Sequence, residues 1–365
     1  MSFDILKAVY FKNVFENDFN RRMKMTSIKQ IAKEVGASVS TVSRALNGYH
    51  DVNPKTREKV IEAARNLNYF PSTAARSLVT KRSHMIGLFF GDNVNSGFED
   101  PFFQKVLSAI RELVGDAGYD LLVFTNKNKE RATYTTLCRE RGVDGTILIL
   151  TGREKQVNIQ LTDLQNSEIP CVAIDVPLEG KRCTYVESDN FLGIKKAVSY
   201  LAGLGHRQIA FIGGDEVSKI SLDRLNGYRA GLNDEEIDYV PDLIEMGYYS
   251  KESAGVAVKN VLKKNKKVTA FLCASDLMAF SAVETLQEEG FSVPRDVSVV
   301  GFDDVDEAAS YHPSLTTVKQ NKEEIGSSAT EQLLKIIEDP ALSPPPIKIP
   351  CELVLRQSTA EVRKD

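Results

Sequence analysis

The chain is poor in the groups that most catalysts are built from. Its four histidines, His50, His84, His206 and His312, are scattered along 365 residues. No GxSxG, HExxH or P-loop signature occurs, and GLGHRQ lacks the third glycine of a dinucleotide fingerprint. Nothing gathers a nucleophile, a base and an orienting group, so no catalytic residue, metal set or cofactor is expected. His206 follows a helical stretch, where a cation suits the helix dipole, and reads as structural. The five cysteines, Cys138, Cys171, Cys183, Cys273 and Cys351, form no CxxC pair. Cys171 and Cys273 lie in apolar runs and read as buried thiols in a reducing cytoplasm. No run of 18 apolar residues is present and no signal peptide precedes a cleavage site, so neither a membrane span nor export is expected.

Net charge is small overall but unevenly placed. The net charge is −4, yet residues 25–84 hold ten basic residues against four acidic ones, a net of +6. A basic head on an acidic body fits nucleic-acid binding by the head alone. Within that head, IKQIAKEVGASVSTVSRALN gives two short helices. Ile28, Ile31, Ala32 and Val35 recur at helical spacing, Gly36-Ala37 breaks the pattern, and Ser38 stands where an N-cap is wanted. Val42, Ala45 and Leu46 form the apolar face of the second helix, which Asn47-Gly48 stops. This is a helix-turn-helix. The other face of its second helix carries Val39, Ser40, Thr41, Ser43 and Arg44. Small residues admit a helix to the major groove, hydroxyls donate to phosphates, and Arg44 can fork onto the O6 and N7 of a guanine. Asn53-Pro54 then opens a third helix, KTREKVIEAARNLNY.

The blocks VSTVSRALN, KTREKVIEAA and LNYFPSTAARSL, in that order and spacing, resemble the lactose-repressor (LacI/GalR) family of bacterial transcription regulators. The resemblance runs on through nearly the whole chain to Leu355. It implies a homodimer that reads a near-palindromic operator. Val39, Ser40 and Arg44 would meet base edges, and Ser27, Ser38, Thr41, Ser43 and Asn47 would hold phosphates. Residues 71–84 would be the hinge, disordered until two copies meet on DNA, with Ser72 as its cap. Ala75 and Leu78 would sit in the minor groove, Leu78 as the wedge. Residues 1–24 have no place in the family pattern, and Met25 begins a typical family start. They read as a disordered extension from an upstream start codon or as an artefact, with an amphipathic interaction helix as the alternative.

From Met85 the texture changes. MIGLFF, DLLVF, GTILIL, CVAI, QIAFIG, TAFLC and VSVVGF are strand-like runs separated by helical patterns, which means parallel α/β sheets, with strands enough for two. The resemblance implies a periplasmic-binding-protein-like core over residues 85–365, built from two doubly wound subdomains. The first takes about 85–188 and 321–347, the second about 189–320 and 348–365, with crossovers near 187–190, 320–322 and 345–350.

Ligands of open α/β sheets sit beyond the carboxyl ends of the strands, and several strands here end in polar residues. Asp92, Asp175, Ser275-Asp276 and Asp303-Asp304 follow such runs. By resemblance Arg224 clamps the effector, Asp303 holds hydroxyls or a ring nitrogen, Tyr249 stacks, Ser275 stands where sugar binders carry Asn, and Phe102 and Phe103 floor the other side. The loop GDNVNSGFEDPFF is longer than the common family version and would reshape that floor. Asp276 reads as the cap of the next helix, and Asp189 and Asn190 as a cap or a crossover contact. A sugar or a nucleobase would suit this set equally.

The function expected is a small-molecule-controlled transcription regulator, a repressor. A global catabolite regulator, with a phosphorylated carrier protein as co-repressor, is the alternative. That branch carries Arg where Asp306 stands here, and Asp306-Glu307 would repel a phosphoprotein. A hydrolase with a nucleic-acid tail, or a transport-type sugar-binding protein, fits the basic head poorly. The chain ends at RQSTAEVRKD with no heptad tail, so a tail-mediated tetramer is not expected.

Overall fold

A computed structural model describes residues 27–69, 82–90, 101–124, 133–149 and 161–363. The extension 1–24, the hinge residues Ser72, Ala75 and Leu78, and Asp92 lie outside these residues. The chain divides into two compact units between Ser83 and His84.

Among the described residues, the first unit contains three helices, α1 (Ile28–Val35), α2 (Val39–Leu46) and α3 (Pro54–Asn66). Gly36 ends α1 in the left-handed conformation at φ 67°, which costs a glycine little. The Ser38 hydroxyl accepts the Thr41 amide to start α2, and the Asn53 side chain accepts the Lys55 amide to start α3, with Pro54 as its first residue. Ile31, Val42, Ala45, Val52, Val60 and Ala63 close a small core of their own.

The second unit holds two sheets. β1 (Met85–Phe90), β2 (Asp120–Phe124), β3 (Gly145–Ile149), β4 (Cys171–Ile174), β5 (Cys183–Ser188) and β11 (Ile347–Ile349) are ordered β11-β5-β4-β3-β1-β2, all parallel. Both faces are covered. Ile86, Leu88 and Phe90 pack with α4 (Pro101–Asp116) and α11 (Lys322–Glu338), while Phe89 points the other way, towards α5 (Tyr134–Arg141). A strand buried on both sides has no polar face, which is why MIGLFF reads as an unbroken apolar run.

The second sheet repeats the plan. β6 (Ile209–Gly213), β7 (Ile244–Met246), β8 (Ala270–Cys273), β9 (Ser298–Asp303), β10 (Thr316–Lys319) and β12 (Glu352–Val354) are ordered β12-β10-β9-β8-β6-β7, with only β12 antiparallel. Around it pack α6 (Asn190–Gly203), α7 (Lys219–Asp234), α8 (Lys251–Lys264), α9 (Asp276–Glu288) and the short α10 (Asp306–Ser310). Phe211 and Tyr228 stack at 5.1 Å in the core, and the Tyr228 hydroxyl donates to the Ile209 carbonyl at 2.7 Å.

The chain passes between sheets after β5, after β10 and after β11. The last passage falls later than the sequence division places it. Lys348 and Ile349 pair with Glu187 and Ser188 in the first sheet, and Pro350, which has no N–H to offer, ends the ladder. His206 is a second correction. It is 3% exposed, its Nδ1 meets the Thr269 hydroxyl and its Nε2 the Ala360 carbonyl, each at 3.0 Å, and burial pushes its pKa down. It is structural, as expected, but as a neutral ring and not as a cation at a helix end.

Candidate nucleic-acid interface and ligand cleft

In the first unit α2 buries Val42 and Ala45 and turns Val39, Ser40 and Arg44 to solvent, with Val39 42% exposed. The three hydroxyls at its start form one cluster. Ser38 Oγ lies 2.7 Å from Ser40 Oγ and 2.8 Å from Thr41 Oγ1, and it accepts the Thr41 amide at 3.0 Å. Ser38 thus serves first as a cap. Asn47 Nδ2 donates to the Ser43 carbonyl at 2.9 Å, so its amide helps to close its own helix. At Ser27 the backbone N–H is accepted by Gln30 Oε1 at 2.7 Å. Arg44 does not extend freely. Its Nε and Nη2 bond Asp51 at 3.2 and 2.5 Å, and its guanidinium lies 4.9 Å from the centre of the Tyr49 ring.

In the second unit polar groups converge where both sheets end. Arg224, on the buried side of α7, is 4% exposed. Its Nε donates to Asn190 Oδ1 at 2.8 Å and its Nη1 to the Ala274 carbonyl at 2.5 Å, while the guanidinium lies 3.8 Å above the Phe302 ring and 6.0 Å from Tyr249. A buried cation needs compensation. Asp175, which follows β4 with φ 61°, supplies part of it. Burial lifts the Asp175 carboxyl to about 6, with Arg224 pulling the other way.

Tyr249 joins this group. Its hydroxyl meets Ser221 Oγ at 2.9 Å, and burial raises its pKa while Arg224 lowers it. The ring lies so close to Gly214 that a Cβ there would fall 2.3 Å from it. Asp303 ends β9 at φ 121°, a backbone conformation costly for a side chain, and its Oδ1 accepts Gln320 Nε2 at 2.7 Å. Lys322 Nζ holds the Asp303 and Asp304 carbonyls. Asp175, Arg224, Tyr249 and Asp303 are therefore one neighbourhood. Two buried atoms beside it have no partner, Ser188 Oγ at the end of β5 and Gln320 Oε1 after β10. Sequence reasoning missed both, because neither strand stands out as an apolar run.

Three expected site residues fall differently. The Ser275 hydroxyl accepts the Met278 amide at 3.3 Å and caps α9, so its oxygen is engaged. Asp276, expected as the cap, is instead the first helical residue and fully buried. Its Oδ1 accepts the Thr317 hydroxyl at 2.5 Å and its Oδ2 the Val305 amide at 2.9 Å, and burial pushes its pKa well up. Phe102 is 6% exposed and packs in the first-sheet core with Val106 and Ile110. Phe103 is half-buried against it, the rings edge-on at 5.1 Å. Phe102 thus contributes to that core. Asp189 caps α6 through the Leu192 amide, and Asn190 is the residue that holds Arg224. An open groove of about 610 Å³ between β7 and α8, near Glu245 and Tyr248, touches none of these residues. The cleft is the better candidate because polar side chains converge there and two buried side-chain oxygens have no partner.

Residues 27–72 match the family model described as bacterial regulatory proteins, lacI family, and residues 198–359 match the periplasmic binding protein-like domain. A PurR transcriptional repressor of Histophilus somni is 30% identical, over 92% of this chain and 99% of its own. The chain belongs to the LacI family. The MalR regulator of Clostridium butyricum is 33% identical over 85% of this chain and 92% of its own. Among solved structures, the lac repressor dimer bound to operator and the anti-inducer ONPF is 27% identical and covers 92% of this chain and all of its own, with a TM-score of 0.78. This LacI-family chain is a DNA-binding transcriptional repressor, with a helix-turn-helix head and a core of two parallel-sheet subdomains.

Proposed function

We propose that this repressor acts in the cytoplasm as a homodimer on a near-palindromic operator and answers to an uncharged polyol, a sugar or a related metabolite, bound between its two sheets. The observation that carries this is the balance of groups in the cleft. Asp175 and Asp303 offer two carboxylates against the single guanidinium of Arg224, and Ser188 Oγ and Gln320 Oε1 lack partners. Sugar hydroxyls both donate and accept, so they suit carboxylates and orphaned oxygens together. A sugar phosphate would set its own charge against the Asp175 and Asp303 carboxylates. Relatives support a sugar, among them a CelR regulator solved with cellobiose and a ribose operon repressor of Haemophilus influenzae.

The ligand would act through the angle between subdomains, because its groups come from both. Two ion pairs already join them, Lys219 to Glu187 at 2.7 Å and Lys105 to Asp306 at 3.2 Å. The second also weighs against a phosphoprotein co-repressor, since Asp306 presents a carboxylate where that partner would need a cation. A thermal-shift panel of neutral sugars, sugar phosphates and purines tests the reading, because a ligand of the native state raises the melting temperature. A neutral sugar is the expected hit. Stabilisation by sugar phosphates alone would overturn it.

A further inference from the structure

We propose that Asp51 is a positioning residue for DNA readout, holding Arg44 so that the outer edge of its guanidinium is aimed at a guanine. This rests on the reading of Arg44 as a base contact. Asp51 Oδ1 takes Arg44 Nε at 3.2 Å and Oδ2 takes Nη2 at 2.5 Å, the side-on mode of an arginine–carboxylate pair. That mode leaves Nη1 and the outer N–H of Nη2 uncommitted. These two donors form the fork that fits guanine O6 and N7. Tyr49 covers one face of the guanidinium at 4.9 Å and fixes its plane.

The loop that presents Asp51 is itself held. Val52 is 7% exposed and anchors it in the head core, and the Tyr49 amide donates to the Arg44 carbonyl at 3.1 Å. Arg57 of α3 donates to the Tyr49 carbonyl, and Asn53 caps α3 directly after the loop. Arg44 therefore has its rotamer set before DNA arrives, and binding is spared the cost of ordering a long side chain. The pair is half exposed, 49% for Arg44 and 57% for Asp51, so it contributes little to stability. By charge alone a carboxylate here opposes DNA, since it sits on a +6 head that must approach phosphates. Positioning and bulk electrostatics thus predict opposite signs for its removal.

The test uses the full-length protein, as wild type, Arg44→Ala, Asp51→Asn and Asp51→Glu. Each selects from a randomised duplex library, and each is titrated with the selected duplex and with a random-sequence duplex. Arg44→Ala should flatten the preference at one G·C pair. Asp51→Asn should lower the preference at that same pair about 5- to 20-fold, while random-duplex binding strengthens about twofold. Asp51→Glu, which keeps the carboxylate, should restore part of the preference. Melting temperatures should not move, which separates positioning from folding. If Arg44→Ala flattens that pair and Asp51→Asn leaves it intact, the positioning role fails while the base contact stands. Relaxation at a different pair would mean that Asp51 reads a base itself, and would also overturn the proposal. If Arg44→Ala alters no preference, both readings fall together.

Discussion

Replacing Arg224 with alanine tests the cleft most directly. The substitution removes charge-assisted hydrogen bonds to Asn190 and to the Ala274 carbonyl, each contributing about 1.5–3 kcal/mol. It strips the stacking on Phe302 and leaves Asp175 buried without its countercharge. Asp175 limits the damage by taking up a proton, since losing Arg224 pushes its carboxyl further above the value of about 6 to which burial already lifts it. Removing one partner of such a set costs about 3–5 kcal/mol. At about 2–4 °C per kcal/mol for a unit of this size, the melting temperature should fall by roughly 6–20 °C. Differential scanning fluorimetry of the full chain gives the shift, with and without the effector found for the wild type. The effector should no longer raise the melting temperature of the variant. Operator affinity, measured well below the melting point, should stay near that of the wild type, because the head has its own core. A melting temperature within a degree or two of the wild type would show that the side chain is not integrated as described. A full effector shift in the variant would refute the cleft and turn attention to the groove between β7 and α8.

Three further outcomes are expected. Asp175 changes protonation near pH 6, so affinity for a ligand whose hydroxyls donate to its carboxylate should rise from pH 5 to pH 7 and lose that dependence in Asp175→Asn, as calorimetry at each pH would show. The apo protein should move the other way. The raised pKa favours the folded state at low pH, and that contribution is lost as pH rises from about 4 to about 6. Gly214→Ala places a methyl 2.3 Å from the Tyr249 ring and 2.4 Å from Ser221 Oγ, so it should displace Tyr249 and weaken effector binding more than tenfold, with little effect on operator affinity. Unchanged effector affinity would remove Tyr249 from the site.

The head was legible because its structure is local. Periodicity, Gly36 and the caps Ser38 and Asn53 are written within a few residues of the helices they delimit. Buried central strands were legible too, as apolar runs. The unread strands β5, β7, β10, β11 and β12 lie at or next to the sheet edges, where Glu187, Glu245, Lys319, Lys348 and Glu352 interrupt the pattern. Missing β5 and β10 hid Ser188 and Gln320, since a rule about strand ends needs every strand. Ser275 and Asp276 are both good cap formers, and tertiary contacts decided between them. Thr317 and the Val305 amide claim the aspartate, and Ser275, extended at φ −158°, is left to start the helix.

The interleaving of the two sheets reaches beyond architecture to the order in which the protein is made. The first sheet lacks an edge strand until β11 exists, and its core stays open until α11 sets Ile325, Ala329, Leu333 and Ile336 against Val106 and Ile110. Residues 322–349 must therefore leave the ribosome before a subdomain begun at Met85 can close, and by then most of the second subdomain has already emerged. A nascent chain holds a finished head long before it holds a finished sensor. Full synthesis is thus the step that couples reading DNA to hearing a ligand.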